Sequence, residues 1–131
     1  MKTKIILDTN FLLIPAQFGV DIFSEIRRIC DFSYEIAVVQ ETVAELKGIA
    51  SSKMSSGKNK KASKLALKLL RAFKVKILNN RKLYKRADEA ILAIADKNSC
   101  VATQDRELKR RLREKAVNLI ILRQKQYLKF F

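Results

Sequence analysis

Four acids hold comparable places in this chain. Asp8 follows the apolar run Ile5-Ile6-Leu7, which reads as a buried strand stopping on an acid and two small polar residues. In open α/β sheets, ligands gather just past the carboxyl ends of the strands, which is where Asp8 would stand. Glu45 lies on the helical stretch after a second apolar run, beside the line Thr42-Leu46-Ile49. Asp88 is one turn ahead of Ile91 and Leu92, so it continues an inward stripe at the start of its helix. Asp105 falls two residues after Thr103, where a strand hands over to a helix. Taken singly, Asp8 reads as a cap or turn residue and Asp88 and Asp105 as helix N-caps. Acids on or beside an inward stripe are expensive unless paired, capping or bound to metal. In a chain with only 13 Asp and Glu, a shared metal site accounts better for all four.

The chemistry follows from the ligand type. Clustered carboxylates bind hard divalent cations, which activate water and stabilise charge on a phosphodiester under attack. Histidine is absent, so serine–histidine and cysteine–histidine catalysis and every His-ligated metal are excluded. Oxygen ligands favour Mg²⁺ or Mn²⁺. Cys30 and Cys100 have no CxxC or Cys/His spacing and read as free core thiols rather than a zinc site.

The elements that must position these acids alternate between strand and helix. After Asp8-Thr9-Asn10, the segment Phe11 to Ile14 reads as a turn or short helix ended by Pro15. A helix follows from about Asp21, a fitting N-cap, to Cys30. Tyr34 to Val39 reads as a second buried strand, and Gln40 to about Ala50 as a helix with Val43, Leu46 and Ile49 inward. Ser51 to Asn59 lacks an apolar face and reads as a loop or frayed helix end. A helix from about Lys61 to Phe73 is expected to turn Leu65, Leu69 and Ala72 inward. Val75 to Leu78 suggests a short strand, Ala87 to Asp96 a helix, Cys100 to Thr103 a strand, Asp105 to Lys115 a helix and Asn118 to Leu122 a strand. Residues 124–131 are a tail without an assigned element. The fold class expected is α/β: a three-layer sandwich whose central, mostly parallel sheet is covered by helices on both faces, formed by a single domain over residues 1–131.

Charge points to the partner. The chain has 28 Lys and Arg against 13 Asp and Glu, a net charge of +15. From Leu46 to Ala87 there is no acid, while Lys and Arg recur throughout. A lysine-rich surface of the thermophile kind would balance Lys with Glu, and nothing balances it here. Such a block is the electrostatic footprint of a phosphate backbone. The loop bearing Lys53, Lys58, Lys60 and Lys61 and the helix face of Arg106, Lys109, Arg110 and Arg113 are candidate phosphate contacts. Tyr84 and Tyr127 are candidate stacking residues, although a packed or solvated role is the commoner one.

With these residues in place the sequence resembles the PIN-domain nucleases. The resemblance rests on Leu7-Asp8-Thr9-Asn10, Glu45-Leu46, Asp88 ahead of Ile91, and Thr103-Gln104-Asp105 ahead of Leu108, in order over roughly Lys4 to Leu122. It implies that Asp8, Glu45, Asp88 and Asp105 form an acidic site for Mg²⁺ or Mn²⁺ that cleaves RNA. It also implies that Asn10 and Thr103 support that site by hydrogen bonding. Glu89 is an ambiguity, because related sequences often carry two neighbouring acids there. Adjacent helix residues point about 100° apart, and Asp88 shares the Ile91/Leu92 face. Residues 101–112 look like the PIN endonucleases of small-subunit pre-rRNA processing, more than like the VapC toxins.

Three biological roles follow as alternatives: an endoribonuclease of pre-rRNA processing, a VapC-type toxin ribonuclease, or a non-catalytic RNA-binding or assembly protein on the same fold. Receiver and haloacid-type phosphotransfer domains fit poorly: Asn10 stands where the second haloacid Asp belongs, and the receiver's acid pair is missing. RNA is the expected partner, with a homodimer or a ribonucleoprotein assembly left open. No apolar run reaches the ~20 residues of a membrane span, and Met1-Lys2-Thr3-Lys4 shows no leader pattern, so a cytoplasmic location is expected.

Overall fold

Residues 2–131 are described by a computed structural model. Its strands are β1 (Thr3–Leu7), β2 (Tyr34–Val39), β3 (Lys76–Leu78), β4 (Ser99–Ala102), β5 (Asn118–Arg123) and β6 (Tyr127–Phe130). Its helices are α1 (Ile14–Phe18), α2 (Ile22–Ile29), α3 (Gln40–Ser51), α4 (Gly57–Ala72), α5 (Ala87–Ile94) and α6 (Arg106–Glu114), with a short 3₁₀ turn over Asn10–Leu13. The strands form one six-stranded sheet in the order β3-β2-β1-β4-β5-β6, parallel except for the β5–β6 pair. The expected three-layer α/β sandwich is the architecture found.

Two apolar layers cover the sheet. On one face Ile5, Leu7 and Val38 pack with Ile22 and Ile26 of α2 and Ala62, Ala66 and Leu70 of α4. On the other, Ile6, Ala37, Val39 and Val101 pack with Ala90 and Ile91 of α5 and Leu108 and Leu112 of α6. Alternate residues of one strand thus serve opposite layers, which is why β1 is apolar at consecutive positions. Among the described residues no helix is long and apolar enough to cross a membrane.

The chain winds outward from β1 through β2 to β3, then returns to place β4 on the other side of β1. The switch in direction therefore falls between β1 and β4, where Leu7 stands beside Ala102. That is the crevice in which doubly wound sheets bind their ligands.

Several local expectations need correction. Pro15 does not end a helix; it sits in the first turn of α1, where its missing N–H has no intrahelical partner to lose. The loop expected over Ser51–Asn59 is shorter, because the Ser56 hydroxyl accepts the Asn59 N–H at 3.1 Å and starts α4 at Gly57. The inner stripe of α4 is Ala62, Ser63, Ala66 and Leu70; Leu65 and Ala72 face solvent and Leu69 is only partly covered. Small residues let α4 approach closely, so Leu65, Leu67 and Leu69 fall toward the rim while Leu70 stays inside. Within the unassigned tail, β6 pairs antiparallel with β5. The Glu25 carboxylate on α2 holds this strand by accepting the Leu128 N–H at 3.0 Å.

Candidate active site

The end of β1 builds the centre. The Asp8 N–H donates to the Ala102 carbonyl at 3.0 Å, extending the ladder by one residue past the strand. The Asp8 carbonyl then accepts from Phe11 and Leu12 N–H and turns the chain into the 3₁₀ segment. This leaves the carboxylate at the switch point, only 6% exposed. Its Oδ1 accepts the Thr9 N–H at 2.8 Å and its Oδ2 accepts the Thr103 hydroxyl at 2.8 Å.

Thr103 is fully buried and does two things. Its hydroxyl donates to Asp8 and accepts the Asp105 N–H at 3.0 Å, so one side chain ties the first acid to the last. Asp105 is the N-cap of α6, its Oδ1 accepting the Leu108 N–H at 2.8 Å. The carboxylate is thereby aimed along a helix N-terminus, where the partial positive charge of unpaired N–H groups suits an anion. Asn10 is exposed at the start of the 3₁₀ turn, and no hydrogen bond joins its side chain to Asp8 among the described residues.

Glu45 reaches across from α3 and accepts the Ala87 N–H at 2.7 Å. Ala87 begins α5, whose N-cap residue Arg86 supplies no side-chain cap, so Glu45 provides one from another helix. Asp88 is differently occupied. Its Oδ2 pairs with the Arg86 guanidinium at 2.6 Å, with 24% of the acid's side chain exposed, while Glu89 points to solvent.

Burial is the main cause that pushes the Asp8 carboxyl above its ordinary value of 3.8; the Thr103 and Thr9 hydrogen bonds pull it back, and the charges of Asp105 and Glu45 push it up again. Asp105 and Glu45 are therefore near enough for their charges to act on Asp8. Among the described residues no set of three or more acids is drawn into a finished metal cage. Each carboxylate is instead held by protein donors. The donor set still fits a hard divalent cation: all oxygen, with a buried carboxylate whose like-charged neighbours a cation would relieve.

One further acid escaped the sequence reading. Glu41, in the first turn of α3, is only 4% exposed. Its Oε2 accepts the Tyr84 N–H at 3.0 Å, and its Oε1 is buried without a hydrogen-bond partner among the described residues. The signal was available, since Glu41 stands two residues past β2 much as Asp8 stands past β1. Glu41 and Glu45, one turn apart, together hold the backbone at Tyr84 and Ala87 and so fix the basic segment between them.

The basic candidates lie outside this centre. Lys53, Lys58 and Lys61 are exposed around the α3–α4 turn and the start of α4, with Lys60 partly covered. On α6, Arg106, Lys109, Arg110 and Arg113 line a cleft of about 380 Å³ closed by Phe131. Arg110 is bound to Glu107 and Glu114 at 2.6 and 2.7 Å, while Lys109 and Arg113 lie over the Phe131 ring. Tyr84 is half-buried against the second apolar layer with Lys82 over its ring, and Tyr127 is on the β6 edge. Both cysteines are free; burial pushes the Cys100 thiol up to about 12, which leaves it inert.

An acid thus stands at the β1–β4 switch point, tied through a buried threonine to a second acid that caps the following helix. The chain belongs to the PIN-like domain family, which matches residues 5–125. Among curated proteins it is similar to Ribonuclease VapC4 of Methanocaldococcus jannaschii, 35% identical over 130 residues, covering 98% of this chain and 96% of that protein. Among solved structures it is similar to the PIN domain endonuclease Utp24, with a TM-score of 0.79 and 20% identity over 97% of this chain and 90% of that one. The second likeness concerns the fold alone.

Proposed function

We propose that this protein is a divalent-metal-dependent endoribonuclease of the VapC type, with Asp8, Glu45, Asp88 and Asp105 as its acidic site. The observation that carries the reading is the full-length similarity to a protein named a ribonuclease, in a chain that keeps a buried Asp8 with Asp105 and Glu45 around it. A role in pre-rRNA processing rests on residues 101–112 alone and ranks second.

Asp8, Asp105 and Glu45 would hold the cation, with Asp88 joining once released from Arg86. Mg²⁺ or Mn²⁺ bound there would polarise a phosphodiester and lower the pKa of attacking water. The chain's own part is positional. Thr103 orients the Asp8 carboxylate, the α6 N-cap fixes Asp105, and Glu45 is set by the start of α5. Arg86, which feels the charge of Glu45, would be free to pair with a substrate phosphate once released from Asp88.

A binding-only reading is favoured by one observation, the Arg86–Asp88 pair that occupies the fourth acid. Incubating a labelled, partly single-stranded RNA with Mg²⁺ or Mn²⁺ separates the two. Cutting that requires the metal and disappears in Asp8→Asn while RNA binding survives is the result expected. Binding without cutting, insensitive to the mutation and to chelator, would leave an RNA-binding protein. A small antitoxin frame beside the coding sequence would further favour the toxin role.

A further inference from the structure

A second cleft lies at the far end of the sheet, where β1 and β2 begin rather than where they end. It has a volume of about 400 Å³, within the range of small-ligand pockets. Phe23 of α2 and Phe73, just past α4, form its aromatic wall. Their rings lie parallel, 4.1 Å between centroids and 1° between planes. Phe23 is buried, but Phe73 is 53% exposed, so the inner ring backs an outer one that water still reaches. Leaving a large apolar ring half in water forfeits much of the burial it could gain. Around it stand Lys2, Arg27, Lys74 and Lys76, against the single carboxylate of Glu35, which pairs with Lys76 at 3.5 Å.

A flat apolar ring ringed by cations is the chemistry that takes a planar base on one side and its phosphates on the other. A purely apolar partner would not need four cations, and a free phosphate would not need the ring. We propose that this cleft binds one nucleotide unit of single-stranded RNA, its base against Phe73 and its flanking phosphates against Arg27, Lys74 and their neighbours. The choice of RNA rests on the ribonuclease reading; the cleft's own chemistry specifies only a nucleotide polymer. Because acids and cleft lie at opposite ends of parallel strands, the cleft would anchor the chain remote from the cut and favour longer substrates.

The test is fluorescence anisotropy with a labelled single-stranded RNA of about twelve nucleotides, in EDTA so that the strand stays intact. Phe73→Leu is expected to weaken binding about tenfold and Phe73→Tyr, which keeps the plane, to bind as wild type. Arg27→Gln and Lys74→Gln should each reduce the salt slope by roughly 0.7. Lys129→Gln, the same charge change on β6, should leave affinity within about twofold. Circular dichroism of Phe73→Leu should match wild type, with melting lowered only by the roughly 3–8 °C that loss of the Phe23 stack produces, so that the variant is folded in the assay. Wild-type binding by Phe73→Leu, or an equal loss in Lys129→Gln, would overturn the proposal. Cleavage of the same RNA in Mg²⁺ or Mn²⁺ is scored separately. Cutting without a Phe73 effect removes the cleft and keeps the nuclease; a Phe73 effect without cutting does the reverse.

Discussion

At the scale of single residues, Asp8 sets function against stability. Its folded carboxyl is raised chiefly by burial, so the folded state holds the proton more firmly than the unfolded chain. Stability is then lost as pH rises through the window above 3.8, and ionised Asp8 destabilises the metal-free protein at neutral pH. Asp8→Asn should therefore melt higher at pH 7 in chelator, by roughly 2–6 °C, the shift that ~1 kcal/mol produces at this size. The gain should vanish as pH falls to the ordinary carboxylate range. Thermal melts at both pH values decide it, and a mutant that melts lower at pH 7 would contradict the assignment. Asp105 allows a complementary separation. Asp105→Ala should cost ~1 kcal/mol through the lost α6 cap, whereas Asp105→Ser should keep the cap and most of that stability. Both should lose at least ~100-fold in cleavage if Asp105 holds the metal. Urea unfolding alongside cleavage rates distinguishes the two contributions.

At the scale of elements, α3 acts as a clamp. Glu41 and Glu45 grip the backbone at Tyr84 and Ala87, between which Lys85 and Arg86 are carried. Glu41→Ala should leave the Tyr84 N–H without its acceptor and destabilise the fold by about 1–3 kcal/mol. Hydrogen exchange should rise most at Tyr84, with little change in β1 or β4; uniform acceleration would instead mean global loosening. The contrast between Glu41 and the four acids shows what a sequence discloses. Strands β1, β2, β4 and β5 were legible because parallel strands buried on both faces are unbroken apolar runs. Asp8 and Asp105 were legible because they sit where such runs stop. β6 was not: on this edge strand only Leu128 is buried, and its turn places Gln124 and Lys125 at φ 53° and 56° without the usual Asn or Gly. The α4 stripe was misphased because leucine weighs more than alanine in a pattern, while close helix packing selects the alanine. That Asp88 turns to Arg86, two residues back, is a rotamer choice no spacing rule encodes.

At the scale of the molecule, the acids are a small negative point on a strongly positive body. A net charge of +15 repels divalent cations at long range and attracts RNA, so the two ligands should depend on each other: phosphates brought in by the basic surface also supply oxygen ligands to the metal. Basic groups on separate parts of the surface, around the start of α4, along α6 and at the far-edge cleft, would each meet phosphates of a single strand. If about five are neutralised, log affinity should fall against log salt with a slope near −3.5, or roughly 100-fold between 50 and 200 mM salt. Lys58→Gln, on an exposed part of α4, should flatten the slope by about 0.7 and leave Asp8-dependent cleavage at saturating RNA unchanged. Anisotropy titrations over that salt range measure the slope. A nearly flat dependence would mean that the positive surface does not carry the RNA and that recognition is confined to the crevice beside Asp8.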